Sequence, residues 1–211
     1  MERSSLLRRP FRYSYRSVSL YIIAANILVF AAGYLFRNLP VYLALNPMLF
    51  LSGMYWQPFT YMFAHGSLSH LLFNMLGLVF FAPQVERELG SREFLLFYLL
   101  TGFLAGLASL GIYLVTGASQ VFLLGASGAV FAVLLAFAVL FPGAEIYVFG
   151  LLPVKAPILV TIYALLELFD QVFGIQSSVA HLTHLSGFVF AWLYFPVRFG
   201  VHPFRRLFPR R

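Results

Sequence analysis

The chain has 211 residues, of which 61% are hydrophobic, 18% are aromatic and only 10% are charged. A soluble globular domain has about 25% charged residues, so this composition excludes an ordinary soluble domain and favours a polytopic membrane protein. The sequence contains no cysteine, which excludes a disulfide framework, a thiolate metal site and a cysteine nucleophile.

Long apolar runs predict six membrane-spanning helices. About 20 apolar residues are needed for a helix to cross a ~30 Å hydrocarbon core, and the second, fourth and sixth runs are shorter than this. The runs cover residues 18–35, 67–82, 94–115, 127–141, 157–173 and 183–197. They predict one all-α membrane domain at 17–198, a six-helix bundle preceded by a basic tail at 1–16 and followed by another at 199–211.

The distribution of positive charge predicts the topology. The net charge is +7, and 13 of the 14 Lys and Arg residues fall on one side of the predicted bundle, with only Arg37 on the other. Positive residues stay on the cytoplasmic side of a membrane, so both termini are expected there. The basic excess is therefore a topology signal and predicts no nucleic-acid partner, although the tails are suited to contact anionic lipid.

The segment at 37–66 is predicted to be an outer loop of unusual character. It is too apolar to be a solvated loop, and Pro40, Pro47 and Pro58 interrupt it too often for a membrane span. Short amphipathic pieces lying at the membrane interface are expected, with Trp56 at headgroup depth.

Polar residues stand where the even-numbered helices begin. With both termini inside, these helices start at the outer face, which places His70 and Asn74, Ser127, and His184 at one depth. The fourth run has 15 residues and would be only ~22 Å long, which is too short to fill the hydrocarbon core. Ser127 is therefore expected at the floor of an outward-facing cavity.

These residues suit acyl transfer. Ser127 is predicted to be the nucleophile and His184 its general base, and later the acid for the leaving amine. His70 and Asn74 are four residues apart on one helix face and, with the Ser127 amide, could stabilise a tetrahedral oxyanion. Small residues permit close approach of the backbones around them; these are Gly125 and Gly128 beside the serine and Gly187 after the histidine.

Proteolysis inside a membrane is acyl transfer that needs such a water-accessible cavity, and the other known mechanisms of intramembrane proteolysis fit this sequence less well. Asp170 is the only aspartate, so an aspartyl dyad is excluded, and there is no His-Glu-x-x-His element for zinc. Lys155 is the only lysine and falls on the opposite side of the predicted bundle from Ser127, which argues against a Ser-Lys dyad. Asp170 lies near the outer end of the fifth span and leaves a Ser-His-Asp triad open, while His181 remains a rival base. No catalytic role is predicted for Glu167.

Three motifs resemble those of the rhomboid family of intramembrane serine proteases. His70-x-x-x-Asn74 resembles the family element on its second helix, Gly125-Ala126-Ser127-Gly128 resembles Gly-x-Ser-Gly, and His184-Leu185-Ser186-Gly187 resembles His-x-x-Gly on the sixth helix. The turn at Glu86-Arg87-Glu88-Leu89-Gly90-Ser91 is also similar. The order of the motifs and the six-helix layout extend the resemblance over about residues 17–198.

The resemblance implies a rhomboid-like bundle with a Ser127–His184 dyad and an oxyanion site formed by His70, Asn74 and the Ser127 amide. It implies single-pass membrane proteins as substrates, cleaved near the outer face, with no metal and no cofactor. It also implies that Phe131 stacks on the catalytic histidine, at a position where the family often has Tyr. Gln57 stands where the family often has Arg. The compact form is typical of prokaryotes and implies the cytoplasmic (inner) membrane.

Three other classes of function remain to be weighed. A catalytically silent relative could bind membrane proteins without cutting them, although the intact Ser127 and His184 argue against this. A transporter would need polar residues along a pathway through the membrane, whereas here they cluster on one side. A haem or metal protein would use some of His65, His70, His181 and His184.

Overall fold

The computed structural model describes residues 10–148, 150–173 and 179–207. The fold is mostly helical, and each predicted span corresponds to one helix. The long helices are α1 (Val18–Leu35), α5 (Leu68–Leu89), α6 (Ser91–Thr116), α7 (Ser127–Leu140), α8 (Ala156–Phe173) and α9 (Val179–Phe199). The short helices are α2 (Leu39–Leu43), α3 (Pro47–Leu51), α4 (Gln57–Thr60), a 3₁₀ turn (Tyr61–Phe63) and α10 (Pro203–Leu207). Residues 1–9 and 208–211 of the predicted tails lie outside the described residues.

Three helices, α1, α5 and α6, are long and apolar enough to cross a membrane, and α7 is a shorter apolar helix. The count of six spans remains a prediction. Two of the predicted short spans are longer than the sequence suggested, because α5 has 22 residues and α9 has 21. Both helices extend beyond the apolar run through polar residues that neighbouring helices pair. As a result His184 lies in the second turn of α9 rather than at its first residue.

The expectation of an all-α fold is wrong in one place, because a β-hairpin joins α7 to α8. Its strands are β1 (Glu145–Val148) and β2 (Leu152–Lys155), antiparallel with Ile146 opposite Val154. Both strands carry β-branched residues, which suit an extended, half-buried backbone. The Pro142-Gly143 turn that ends α7 leads directly into this hairpin.

Helix α7 forms the centre of the molecule. It packs against α5, α6, α8 and α9, and all its residues from Gly128 to Val139 are buried except Phe131. Many of these residues are alanines, which allow neighbouring helices to approach closely. Because α7 is enclosed by protein, its 14 residues do not have to match the thickness of a bilayer.

The segment between α1 and α5 packs on the bundle through its own hydrogen bonds. Tyr61 is buried, and its hydroxyl donates to the Gly102 carbonyl at 2.7 Å. Trp56 is partly exposed and its indole N–H donates to the Tyr42 carbonyl. Gln57 is fully buried and its side-chain oxygen accepts from the Asn46 amide at 3.2 Å, so an uncharged residue holds the loop at this position.

We call the end of the bundle where α5, α7 and α9 begin the site end, and the opposite end the tail end. At the tail end, the buried Glu86 of α5 accepts hydrogen bonds from the Val18 amide at 2.6 Å and from the Ser19 amide at 2.9 Å. The first amides of a helix have no partners within the helix, and this carboxylate supplies one for α1. The buried Glu93 likewise pairs with Arg198 of α9 at 2.6 Å.

Candidate active site

Ser127 begins α7 at the site end, directly after a turn that requires glycine. Gly125 has φ +118°, a conformation that L side chains rarely adopt. A Cβ atom at this position would lie 2.5 Å from Nε2 of His70, so the turn also brings the backbone against the His70 ring. The amide of Ser127 lies in the first turn of α7, where amides have no acceptor within the helix.

Ser127 and His184 lie within hydrogen-bond distance. The Oγ atom of Ser127 is 2.8 Å from Nε2 of His184. Close packing of α7 against α9 allows this distance, because a Cβ at Gly187 would lie only 2.0 Å from the Gly128 carbonyl oxygen. A hydroxyl next to an imidazole nitrogen can transfer its proton to that nitrogen as it attacks an electrophile.

The imidazole of His184 is stacked on the ring of Phe131. The ring centroids are 4.3 Å apart and the planes differ by 7°. Phe131 lies one turn after Ser127 on the same helix, so α7 carries both the hydroxyl and the ring that contact His184. Phe188 supports the Phe131 ring edge-on from α9 at 5.1 Å.

A cleft of about 620 Å³ opens beside these residues. His70, Asn74, Ser127 and His184 all contribute to its lining, so the structure brings the four predicted polar residues to one cavity. In this structure the Asn74 amide group donates to the His70 carbonyl at 2.9 Å. The remaining walls are mostly apolar and come largely from α5, α7 and α8, including Phe73, Phe80 and Leu159.

His65 supports His70 from the loop before α5. It is 4% exposed, and its ring lies edge-on to the His70 ring at a centroid distance of 5.1 Å. Burial away from water lowers the pKa of His65 to about 4, with the neighbouring His70 acting in the same direction. His65 is therefore neutral near pH 7 and packs as an uncharged ring.

The structure adds one residue that the sequence did not predict, Glu167 of α8. Its Oε1 lies 3.0 Å from Nδ1 of His184, and its Oε2 lies 2.6 Å from Nδ1 of His181. Asp170, the carboxylate considered for a triad, is exposed one turn further along α8. A signal did exist, since an ionisable residue within a membrane helix is a functional candidate by default.

The position of His181 bears on its role as a rival base. Its Nδ1 faces Glu167, and its ring centroid is 6.3 Å from that of His184. The imidazole nitrogen that lies beside the serine hydroxyl belongs to His184.

Glu167 and the two histidines that it contacts also form the group, within the described part of the chain, that could hold a metal ion. One ligand atom from each of Glu167, His181 and His184 lies within 4.8 Å of the others. Carboxylate and imidazole ligands would suit zinc. In this arrangement, however, each carboxylate oxygen already lies at hydrogen-bond distance from one imidazole.

Residues 52–200 match the Rhomboid domain, so the chain belongs to the rhomboid family, and the resemblance seen in the sequence is confirmed. Together with the apolar helices, this makes it a multi-pass integral membrane protein.

Three relatives illustrate the similarity. The chain is 38% identical over 80 residues to "Putative rhomboid protease YdcA" of Bacillus subtilis, which covers 38% of each protein. It is 29% identical over 138 residues to "RHOMBOID-like protein 4" of Arabidopsis thaliana, covering 65% of this chain and 32% of the relative. It is 30% identical over 190 residues to "RHOMBOID-like protein 12, mitochondrial" of the same plant, covering 82% and 55%. The chain thus spans between about a third and just over half of the length of these relatives.

Proposed function

We propose that the protein is an intramembrane serine endopeptidase that cleaves single-pass membrane proteins. The observation that carries the proposal is the 2.8 Å distance between Ser127 Oγ and His184 Nε2, with the imidazole stacked on Phe131. Membership of a family made up generally of intramembrane serine proteases supports it. The largely apolar cleft beside the pair suits a segment of a substrate helix.

In the proposed reaction, Ser127 Oγ attacks the scissile carbonyl carbon while its proton passes to Nε2 of His184. The negative oxygen of the tetrahedral intermediate is held by His70, Asn74 and the Ser127 amide. Collapse breaks the C–N bond, and His184 gives its proton to the leaving nitrogen. Water, activated by the same imidazole, then hydrolyses the ester on Ser127. In that last step His184 takes a proton from the water and returns it to Ser127 Oγ as the ester bond breaks, so the proposed reaction needs neither metal nor cofactor.

The proposal includes a location and an orientation. With 13 of 14 basic residues on one side, both termini would be cytoplasmic and the site end would face outward in a prokaryotic inner membrane. Substrates would be cut near the outer face. A protease accessibility assay on spheroplasts, with tags on both termini, tests this orientation: protection of both tags supports it, and cleavage of either contradicts it.

The test of the function is cleavage of a model single-pass protein in proteoliposomes. The wild type is compared with Ser127→Ala, His184→Ala and the control Ser52→Ala, which alters an exposed serine of the loop before α5. We expect cleavage by the wild type and by Ser52→Ala, and none by the other two variants. Cleavage by Ser127→Ala at the wild-type rate would disprove the mechanism. A folded wild type that cuts no substrate would favour the alternative, a catalytically silent relative that binds membrane proteins.

A further inference from the structure

Glu167 occupies the position of a third member beside the serine and the histidine. It lies on α8, whereas His184 is on α9 and Ser127 on α7, so three helices meet at one imidazole. The Glu167 side chain is 14% exposed and that of His184 15% exposed, so the contact is largely shielded from water. Both nitrogens of the ring are engaged, Nε2 with Ser127 and Nδ1 with Glu167.

The arrangement determines which nitrogen of His184 carries the proton. To accept the serine proton, Nε2 must be unprotonated, so Nδ1 must carry the hydrogen of the neutral ring. An ionised carboxylate only accepts hydrogen bonds, and Oε1 of Glu167 is placed to accept the one from Nδ1. The imidazolium formed during the reaction would also be stabilised by the negative charge at this distance.

We propose that Glu167 is a positioning residue for catalysis, which fixes the tautomer and the ring orientation of His184. The proposal rests on the proposed protease function and extends the Ser-His pair to a Ser127–His184–Glu167 relay of hydrogen bonds. Stacking on Phe131 holds the plane of the ring, and Glu167, by contacting Nδ1, selects between the two flipped orientations that share this plane.

His181 has a supporting role in this arrangement. Its Nδ1 engages the second carboxylate oxygen of Glu167 at 2.6 Å, on the same side of α9 and one turn before His184. A carboxylate held at both oxygens has little freedom to rotate away from the catalytic ring. His181 therefore helps to hold the carboxylate in place and does not act on the substrate.

The experiment compares Glu167→Gln, Glu167→Ala and the control Asp170→Asn in proteoliposomes. Asp170→Asn removes a negative charge from the same helix one turn away, at an exposed residue. Two assays are used. Substrate cleavage gives kcat and KM, and covalent labelling of Ser127 by a fluorophosphonate probe gives a labelling rate. The labelling rate reports activation of the serine without binding of a protein substrate. Thermal unfolding of each variant in detergent reports folding.

We expect Glu167→Gln to lower kcat about 10²-fold, at the low end of the range for general acid–base catalysis, with KM changed less than threefold. Its amide NH₂ group can turn toward Nδ1 and favour the wrong tautomer. Labelling should slow by a similar factor, whereas Asp170→Asn should match the wild type. Added formate should raise the cleavage rate of Glu167→Ala at least tenfold, because it replaces the missing carboxylate. It should not raise the cleavage rate of His184→Ala.

Several outcomes would overturn the proposal. If folded Glu167→Gln keeps kcat and labelling within threefold of the wild type, Glu167 does not position His184. If activity falls only together with the unfolding temperature and formate restores nothing, the residue is merely structural. If EDTA abolishes wild-type activity and Zn²⁺ restores it, the cluster is a metal site. A wild type that neither cleaves nor labels refutes the protease function itself, which separates that failure from the failure of the Glu167 role.

Discussion

Each predicted polar role depends on one or two atoms of a single side chain. His70 is the clearest case for the proposed oxyanion site, because it lines the cleft and its Nε2 lies only 2.5 Å from where a Cβ of Gly125 would be, two residues before the serine. Removing one oxyanion donor typically costs about 10²–10³ in kcat, and the other proposed donors, Asn74 and the Ser127 amide, would soften that loss.

We therefore expect His70→Ala to lower kcat about tenfold to a hundredfold without abolishing cleavage. The measurement is steady-state cleavage in proteoliposomes, with His202→Ala as the control because that histidine follows α9 near the tail end. A His70→Ala variant as inactive as Ser127→Ala but still folded would assign His70 a different role.

Phe131 provides a test of ring stacking separate from any hydrogen bond. The parallel contact at 4.3 Å involves only ring faces, and a phenylalanine has no hydroxyl to add. An aromatic pair contributes about 0.5–1.5 kcal/mol beyond its buried area, which corresponds to roughly two- to tenfold in rate.

Phe131→Leu is expected to lower kcat by that two- to tenfold factor, whereas Phe131→Tyr should keep the wild-type kcat because the ring is retained. Initial rates over a range of substrate concentrations separate kcat from KM. Equal activity of the Leu and Tyr variants would show that stacking does not contribute to catalysis.

The packing of α7 on α9 is a property of whole helices and sets the distance between serine and histidine. At Gly187 the obstacle to a side chain is a backbone carbonyl of α7, which cannot rotate away as a side chain could. Gly111 of α6 is an equally helical glycine, but a Cβ atom there would meet nothing within 4 Å.

Gly187→Ala is accordingly expected to destabilise the fold by about 1–3 kcal/mol, the usual cost of overpacking, and to lower cleavage strongly by moving His184 away from Ser127. Gly111→Ala should unfold at the wild-type temperature or slightly above it, since alanine favours a helix. Thermal unfolding in detergent measures both variants. Equal stability of the two would show that α7 and α9 can separate freely.

The helices could be predicted from the sequence, because apolar runs of this length have few other uses. The ends of the helices could not be predicted, because α5 and α9 continue through polar residues whose partners lie on other helices. Glu86 of α5, for example, accepts hydrogen bonds from amides of α1. The hairpin at 145–155 was missed because two four-residue strands beside a turn give little periodicity.

The site residues divide in the same way. Four of the predicted site residues stand within short motifs, and the fifth lies one turn after the serine, so their positions could be predicted. They are Ser127, His184, His70, Asn74 and Phe131. Glu167 is isolated in an apolar stretch, 17 residues from His184, and only the packing of α8 against α9 brings the two together. Contacts made by tertiary packing leave no local pattern in the sequence.

At the scale of the whole molecule, the site end and the tail end are built differently. The site end contains an open cleft. At the tail end, the buried carboxylates of Glu86 and Glu93 join α1, α5, α6 and α9 through hydrogen bonds and an ion pair. Glu93 illustrates this, because it accepts from the Phe11 amide, the Tyr194 hydroxyl and Arg198. Firm attachment at the tail end would keep the helix axes fixed while a substrate segment occupies the cleft.

Glu86 allows the packing at the tail end to be tested without changing the proposed catalytic residues. Its carboxylate accepts from the Val18 and Ser19 amides and from the Ser19 hydroxyl, and all of these donors would lose their partner in Glu86→Ala. A buried donor without a partner costs about 1–3 kcal/mol, so the loss of stability should be at least 2 kcal/mol. Glu88→Ala, an exposed carboxylate two residues away, should change stability little.

Two separate measurements compare the variants: thermal unfolding in detergent, and limited proteolysis of the folded protein in the segment before α1. We expect Glu86→Ala to unfold at a lower temperature and to be cut more readily between residues 10 and 17, while its kcat well below that temperature stays close to the wild type. If Glu86→Ala is as stable as Glu88→Ala, α1 is held by its apolar contacts alone. If instead kcat falls at temperatures where the variant is fully folded, the two ends of the bundle are coupled, and the fastening at the tail end contributes directly to the alignment of Ser127 and His184.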